Sequence, residues 1–401
     1  MSTNDLNVLA ITNLFPNACE PQKGVFNKQQ FIALTAHAHV RVIAPVPWFP
    51  RLPKLRRWKQ WYVFAEVPRG EMIDGIEVSH PRYVNLPKIG RRWYATAFAA
   101  AIRPTLRRYL QAARPHCVLA TWAYPDIVAA VRLRRELHAP IVAKVHGTDI
   151  NVEAATGWRR RVVADALQQC EAVVCVSAGL QQRVLALGVK PDRVHLVGNG
   201  VDGHRFTPQD QAQCRRVLGL ALDGRLIVFI GNLVPVKGPD VLMLAFARLQ
   251  MLVNVAPVRL VVVGDGWMRS ELEKQAAGLM AAGLVRFVGS RPHEEIATWL
   301  GAADVLCLPS RQEGCPNVVL EALASGRPVV ASRTGGLQEL IRPPMNGLLV
   351  PAEDRNVLAQ ALHHALQTEW NPHQIRQSAS MSWEQNAARL LDVLRGATGR
   401  A

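Results

Sequence analysis

Glu313-Gly314-Cys315-Pro316-Asn317-Val318-Val319-Leu320-Glu321-Ala322-Leu323-Ala324-Ser325-Gly326 carries a helix start signal, a stop signal and two carboxylates. Proline suits the first helical position, where its missing N–H would have found no partner, and glycine suits the residue just past a helix end. A short helix is therefore expected from about Pro316 to about Ser325. Val318, Val319, Leu320, Ala322, Leu323 and Ala324 put apolar side chains on nearly every side, so this helix should be packed all round.

Glu321 sits inside that apolar helix. A carboxylate is costly to desolvate, so it should face a ligand or a fixed donor rather than hydrocarbon. Glu313 lies in the loop feeding the helix. Between the two come the first-turn N–H groups, which with the helix dipole form an anion site. The order along the chain is hydroxyl acceptor, phosphate cradle, hydroxyl acceptor. At a rise of about 1.5 Å per residue, Asn317 to Glu321 spans roughly 6 Å, within reach of one nucleotide sugar. Either glutamate alone reads better as a solvated loop charge or a satisfied core acid. The pair, flanked by Gly-Cys-Pro-Asn and followed by Ser-Gly-Arg-Pro, reads better as a ligand site.

The rest of the composition narrows the class. A chain of 401 residues is too long for one comfortable core, and two domains are expected. Half the residues are apolar and mean hydropathy is near zero, which indicates a globular protein. No apolar run approaches a membrane span and Met1 to Phe15 lacks a signal-peptide pattern, so a cytoplasmic protein is expected, or one peripheral on the inner face of the cell membrane. Seven cysteines show no metal or redox spacing and fit a reducing compartment. No metal motif is present. The formal charge of +16 calls for an anionic partner. Thirteen basic residues against four acidic ones fall between Arg51 and Arg108, interleaved with Trp58, Trp61, Tyr62, Phe64, Trp93, Tyr94 and Phe98. Two readings fit that segment equally: an anionic membrane surface, or a solvated charged helix pair. No base-reading motif accompanies the charge, so nucleic acid is not expected.

Apolar runs at Asn7–Ile11, Val40–Ala44, Cys117–Ala120, Ile141–Val145 and Ala172–Val176 alternate with helical sequence, and the pattern repeats from Leu226 onward. This alternation predicts two parallel sheets covered by helices, with ligands at the carboxyl ends of the strands. Gly24, in the loop after the first strand, is expected to let backbone approach a ligand. His146-Gly147-Thr148-Asp149 follows an apolar strand, which places the His146 ring at the sheet edge, while Asp149 organises the loop. Gly231-Asn232-Leu233-Val234-Pro235-Val236-Lys237-Gly238 is a glycine-rich strand-to-helix loop with a lysine, suited to a diphosphate. Gly264 and the Gly289-Ser290-Arg291-Pro292 turn close two further strands.

The Glu, seven residues, Glu spacing, together with the His146 motif, Val197-Gly198-Asn199-Gly200-Val201-Asp202 and the Lys237 loop, resembles the retaining glycosyltransferases of family 4, also called group 1. The Asn13-Leu14-Phe15-Pro16 to Gly24-Val25-Phe26-Asn27 run is similar to transferases of exopolysaccharide or teichuronic-type assembly. The resemblance implies an α/β, GT-B fold of two Rossmann-like doubly wound domains facing a cleft. Its parts would be an acceptor-side domain at 1–200, a nucleotide-sugar domain at 201–381, and a C-terminal helix at 382–401 returning to the first. It implies that Glu313 contacts donor-sugar hydroxyls and Glu321 the ribose, that His146 touches the donor sugar, and that the turn at Arg291 lies near the base. Gly314, Cys315, Pro316, Asn317 and Val318 line the donor, Cys315 through its backbone. The family's arginine after the first glycine of the Lys237 loop is Asn232 here, so either Arg291 or Arg333 is expected to compensate, or the clamp rests on Lys237 and the helix dipole.

The implied reaction is retaining, metal-independent transfer from a nucleoside diphosphate sugar, with no cofactor, to a glycan or lipid-linked acceptor. Same-face displacement through an oxocarbenium-like state is expected, since no carboxylate is placed as a covalent nucleophile. An epimerase or hydrolase of the same fold and a non-catalytic nucleotide-sugar sensor are the alternatives.

Overall fold

Strands with near-continuous apolar sequence belong in parallel sheets, where both faces are covered. The computed structural model describes residues 6–49, 59–84, 92–253, 256–379 and 381–399. Two units divide the chain, Met1–Asn199 with Trp383–Ala401, and Gly200–Ser382.

The first unit contains β1 (Leu6–Thr12), β2 (Ala38–Ile43), β3 (Val46–Pro47), β4 (Gly70–Ile73), β5 (Ile76–Ser79), β6 (Arg82–Tyr83), β7 (Cys117–Thr121), β8 (Ile141–Val145), β9 (Ala172–Cys175) and β10 (Val194–Leu196). Eight of these form one sheet in the order β10-β9-β8-β7-β1-β2-β5-β4, while β3 pairs with β6. Only β4 runs antiparallel in the larger sheet, joined to β5 by a turn with Asp74 at φ 46° and Gly75 at φ 82°. Both central residues have positive φ, the requirement of the two-residue hairpin turn that Asp-Gly favours.

The second unit contains β11 (Arg225–Ile230), β12 (Val258–Val263), β13 (Val285–Gly289), β14 (Val305–Leu308), β15 (Val329–Ser332) and β16 (Gly347–Val350). All pair in parallel, in the order β13-β12-β11-β14-β15-β16. Strand order reverses between β1 and β7 in the first unit and between β11 and β14 in the second. Such reversals leave an opening at the carboxyl ends of the two strands, where ligands of open α/β sheets bind.

The final helix, Trp383–Thr398, belongs to the first unit. It places Ala387, Leu390, Leu391 and Leu394 in the core that also holds Val8, Phe31, Leu34 and Leu119. A buried polar chain ties it down. Lys144 Nζ donates to Gln30 Oε1 at 2.7 Å, Gln30 Nε2 donates to Asn386 Oδ1 at 2.5 Å, and Asn386 Nδ2 donates to the Gly198 carbonyl. Each buried polar atom in that chain gains the partner it would lose on leaving water.

Several expectations are corrected. Pro316 is the residue before the helix rather than its first member. With ψ 115° it is extended, and Asn317–Ala324 is helical. The Pro316 carbonyl accepts from the Val319 N–H, which starts the helix without a side-chain cap. Gly24, at φ 63°, packs tightly on the loop before it, since a Cβ there would lie 2.2 Å from the Leu14 carbonyl oxygen. The aromatics near residue 94 are not all at a surface. Phe98 is fully buried, and the Tyr94 hydroxyl meets that of Tyr83 at 2.9 Å. Helix Tyr94–Ala112 buries Ala95, Phe98, Ala99, Ile102 and Leu106, while Trp93 just before it is 73% exposed. Arg51, Lys54, Arg56, Arg57, Trp58, Lys88 and Arg91 lie outside the described residues, as do the side chains of Lys59, Trp61 and Tyr62.

Candidate functional site

The carboxyl ends of β11 and β14 bring the Lys237 loop and the Glu313 loop together. Lys237 Nζ donates to Glu313 Oε1 at 2.7 Å, and Ser310 Oγ donates to the same oxygen at 2.7 Å. Glu313 keeps 7% exposure, and among the described residues nothing donates to its Oε2. One oxygen is therefore anchored while the other can accept from a ligand.

Arg311, two residues before Glu313, braces both loops. Its backbone N–H donates to the Val236 carbonyl at 2.9 Å. Its guanidinium takes Asp240 at 3.0 and 2.7 Å and Glu353 at 2.7 Å. The hydrogen bond from Arg311 holds the Asp240 carboxyl below the usual range, as a planar two-point contact to an anion does. From the other side Gly335, at φ 48°, comes so near Glu313 that a Cβ would lie 1.9 Å from the Glu313 carbonyl oxygen. Thr334-Gly335-Gly336 thus packs on the backbone of Glu313.

The helix Asn317–Ala324 carries the second glutamate. Glu321 is 7% exposed, and its Oε1 is 2.8 Å from Nε2 of His293. Glu321 therefore faces a fixed donor with one oxygen, and Oε2 takes no hydrogen bond from the described residues. Both glutamates show the same arrangement. Each is held through one oxygen, at either end of a stretch whose middle is a helix N-terminus, where first-turn amides and the dipole favour an anion.

The remaining expected residues fall around this core. Gly231 and Asn232 follow β11, and Asn232 is exposed. Gly264 lies against the same loop, since a Cβ on it would sit 2.0 Å from the Gly231 carbonyl oxygen. Gly314 and Pro316 are buried, while Cys315, Asn317 and Val318 are half-buried. Arg291, just after β13, forms no hydrogen bond or ion pair with the described residues, and its Nε is enclosed without a partner. Arg333 is exposed, so of the two compensating arginines named from sequence only Arg291 is held partly inside.

His146 belongs to the first unit, at the end of β8. Its ring lies 4.8 Å from that of Phe26 and 6.2 Å from that of Trp122, and its Nε2 is enclosed without a partner among the described residues. Burial, with Lys144 nearby, pushes its pKa well below 6.5, so it is a neutral hydrogen-bonding group near pH 7. Asp149 is fully buried and accepts from the backbone N–H groups of Ala123, His146, Gly147 and Ile150. It shapes the loop that presents His146.

Ser310, Arg311 and His293 escape the sequence reading. Serine and arginine beside Pro309 look like ordinary loop residues, and nothing marks His293 until the fold sets it against Glu321. Among the described residues no group of three or more His, Cys, Asp or Glu could hold a metal ion, and no helix is long and apolar enough to cross a membrane.

Comparison with known proteins adds an independent line. Residues 224–368 match the family described as glycosyl transferases group 1, and residues 60–205 match glycosyltransferase family 4. A glycosyltransferase assigned to teichuronic acid biosynthesis in Bacillus subtilis is 30% identical over 378 residues, covering 92% of this chain and 91% of that one. A D-inositol 3-phosphate glycosyltransferase of Streptosporangium roseum is 36% identical over 229 residues, 54% of this chain and 53% of its own. Among solved structures, sucrose-phosphate synthase from Thermosynechococcus elongatus superposes with a TM-score of 0.78 at 21% identity, covering 98% and 99% of the two chains. Anabaena HepE bound to UDP-glucose gives 0.67 at 19% identity, covering 98% of each. These likenesses establish the GT-B fold.

Proposed function

Because the chain belongs to the group 1, family 4 glycosyltransferases, we propose that it moves a sugar from a nucleoside diphosphate to an acceptor hydroxyl with retention at the anomeric carbon. The observation that carries the donor reading is the matched pair of glutamates, each anchored through one oxygen with the other unpaired among the described residues, around one helix start. In this reading Glu313 accepts from hydroxyls of the transferred sugar and Glu321 from the ribose. The helix N-terminus, Lys237 and Arg291 face the diphosphate. Fixed positive groups aimed where negative charge develops stabilise a leaving diphosphate without reorganising during the reaction. Arg291 supplies the charge that Asn232 lacks.

The bond from the anomeric carbon to the diphosphate oxygen breaks, and the acceptor oxygen attacks on the same face. Its proton passes to the departing phosphate oxygen. Glu313 is held by Lys237 and Ser310, which suits a group that orients the sugar better than one that attacks it. His146, neutral, offers a hydrogen bond to the donor sugar. The acceptor is a lipid-linked or polysaccharide-precursor glycan handled by the first unit. Support for it comes from the relative assigned to teichuronic acid biosynthesis, alike over nearly the whole chain, and from exposed Trp48 and Trp93 in the region rich in basic residues.

The test begins with thermal shift against a panel of nucleoside diphosphate sugars, followed by turnover of the best donor. Glu313→Ala, Lys237→Ala and Arg291→Ala are each expected to lower kcat/KM, the first two by about 10²–10³-fold. Wild-type turnover in folded Glu313→Ala or Lys237→Ala protein would reject the assigned roles. Release of free or rearranged sugar without an acceptor would favour an epimerase or hydrolase.

A further inference from the structure

Glu321 owes its orientation to three residues outside its own helix. His293 opens the helix His293–Ala302, with its ring 5.5 Å from that of Phe206 at 61°. Nε2 of His293 meets Glu321 Oε1 at 2.8 Å, and Nδ1 meets Arg205 Nη1 at 3.2 Å. Arg205 is in turn set by Asp202, whose Oδ1 accepts from the Arg205 backbone N–H at 3.1 Å and whose Oδ2 lies 3.8 Å from Arg205 Nε.

The partners assign the tautomer. A guanidinium has donors only, so Nδ1 facing Arg205 must present its lone pair. The ring proton then sits on Nε2 and is donated to Glu321 Oε1. Arg205 and Glu321 act on opposite nitrogens and favour the same tautomer, so the imidazole is a one-directional spacer between a donor and an acceptor. The carboxylate cannot turn without giving up that bond, and its second oxygen, free of partners among the described residues, keeps one direction.

Resting on the donor-site reading above, we infer that His293 is a positioning residue that aims Glu321 at a ribose hydroxyl and so makes the protein select ribonucleotide over deoxyribonucleotide donors. A carboxylate free to swing would accept from water as readily as from the sugar. A held one favours the ligand that carries the hydroxyl, and hydrogen bonds to charged groups are the stronger kind. A histidine that merely fills space beside Phe206 would leave this selectivity untouched.

The experiment measures the affinity of the full chain for uridine diphosphate and guanosine diphosphate by calorimetry. The tighter of the two is then compared with its 2′-deoxy and 3′-deoxy counterparts. The wild type should prefer the ribonucleotide by about tenfold or more over at least one counterpart. His293→Phe keeps a ring against Phe206 but has no donor, and its preference should fall to within about twofold of unity. His293→Gln has an oxygen to accept from Arg205 and an N–H to donate to Glu321, and should restore most of the preference. If His293→Phe does not fold, His293→Ala is read in its place. An undiminished preference in the Phe or Ala variant, or no restoration by Gln, overturns the role of His293 while leaving the donor site standing. A wild type that binds neither diphosphate is measured against the adenosine and cytidine diphosphates as well, and failure to bind any nucleoside diphosphate overturns the donor reading itself, and this inference with it.

Discussion

At the scale of single residues, charge placement is decided by what surrounds each group. Glu313 is anchored through one oxygen by Lys237 and Ser310 and Glu321 through one oxygen by His293, whereas His146 is enclosed by Phe26 and Trp122 at the end of β8, the strand that also carries buried Lys144. Its lowered pKa has a consequence for stability. In the unfolded chain His146 takes a proton near 6.5, but in the folded state it does not until much lower pH. The unfolded state therefore binds more protons below that value, and stability must fall as pH falls, by up to about 1.4 kcal/mol per pH unit. Asp149, whose pKa burial raises, works with the opposite sign on acidification, but it is common to both proteins in a difference measurement. Urea unfolding of wild type and His146→Gln should diverge as the pH is lowered from about 7 to about 5.5, the wild type losing more. Parallel curves would mean that the ring is solvated. The sequence showed His146, Lys237 and Glu313 because each follows an apolar strand in a loop with glycine. It hid His293, Ser310 and Arg311 because their meaning lies in contacts across 28, 3 and 71 positions of chain.

At the scale of elements, the loops at the strand ends were legible as loops, but what their glycines meet was not. Gly24 and Gly264 read as places for a ligand, and the fold adds a second demand for glycine at each, because a side chain there would strike the carbonyl of Leu14 or of Gly231. The β4–β5 hairpin had a plain Asp-Gly signal at Asp74-Gly75, in the part of the basic segment where Glu66, Glu71, Asp74 and Glu77 stand against Arg69 and Arg82. The starting point of the signature helix missed by one residue because proline is as compatible with an extended residue before a helix as with the first turn. Gly335 shows how an element holds the site. Gly335 and Gly219 both have positive φ, 48° and 60°, so alanine is strained at either. At Gly219 a Cβ meets nothing within 4 Å, while at Gly335 it would strike the Glu313 carbonyl oxygen at 1.9 Å. Gly219→Ala should cost about 1 kcal/mol and leave donor affinity unchanged. Gly335→Ala must push the 334–336 loop and Glu313 apart, costing about 1–3 kcal/mol and weakening nucleotide-sugar binding as well. Equal effects of the two variants on affinity, measured by calorimetry beside a thermal melt, would remove Gly335 from the support of Glu313.

At the scale of the molecule, alternation of strands and helices made two parallel sheets legible, but strand order was not, since it depends on which crossover goes to which side. Order is what locates the site, because the reversal at β11 and β14 brings Lys237 and Glu313 together. The last residues of the chain complete the first unit. Leu390 and Leu394 are fully buried and Leu391 nearly so, in one core with β1, β2 and β7. Burial of each such side chain is worth about 1.5–3 kcal/mol, and together they rival the roughly 5–15 kcal/mol by which a whole domain is stable. Removing Asn386 would also leave Gln30 without its acceptor and weaken its hold on the buried Lys144 ammonium. The second unit loses nothing comparable, since its core runs from Val201 to Ile375. A chain ending at Ser382 is therefore expected to lose the first unit's thermal transition and to expose residues 6–199 to limited proteolysis. The transition of residues 200–382 should remain and should still move upward with a nucleoside diphosphate that binds the native site. Two intact transitions in the shortened chain would show that the terminal helix is an addition to the first unit rather than part of its core, and loss of both would show that the units do not fold independently.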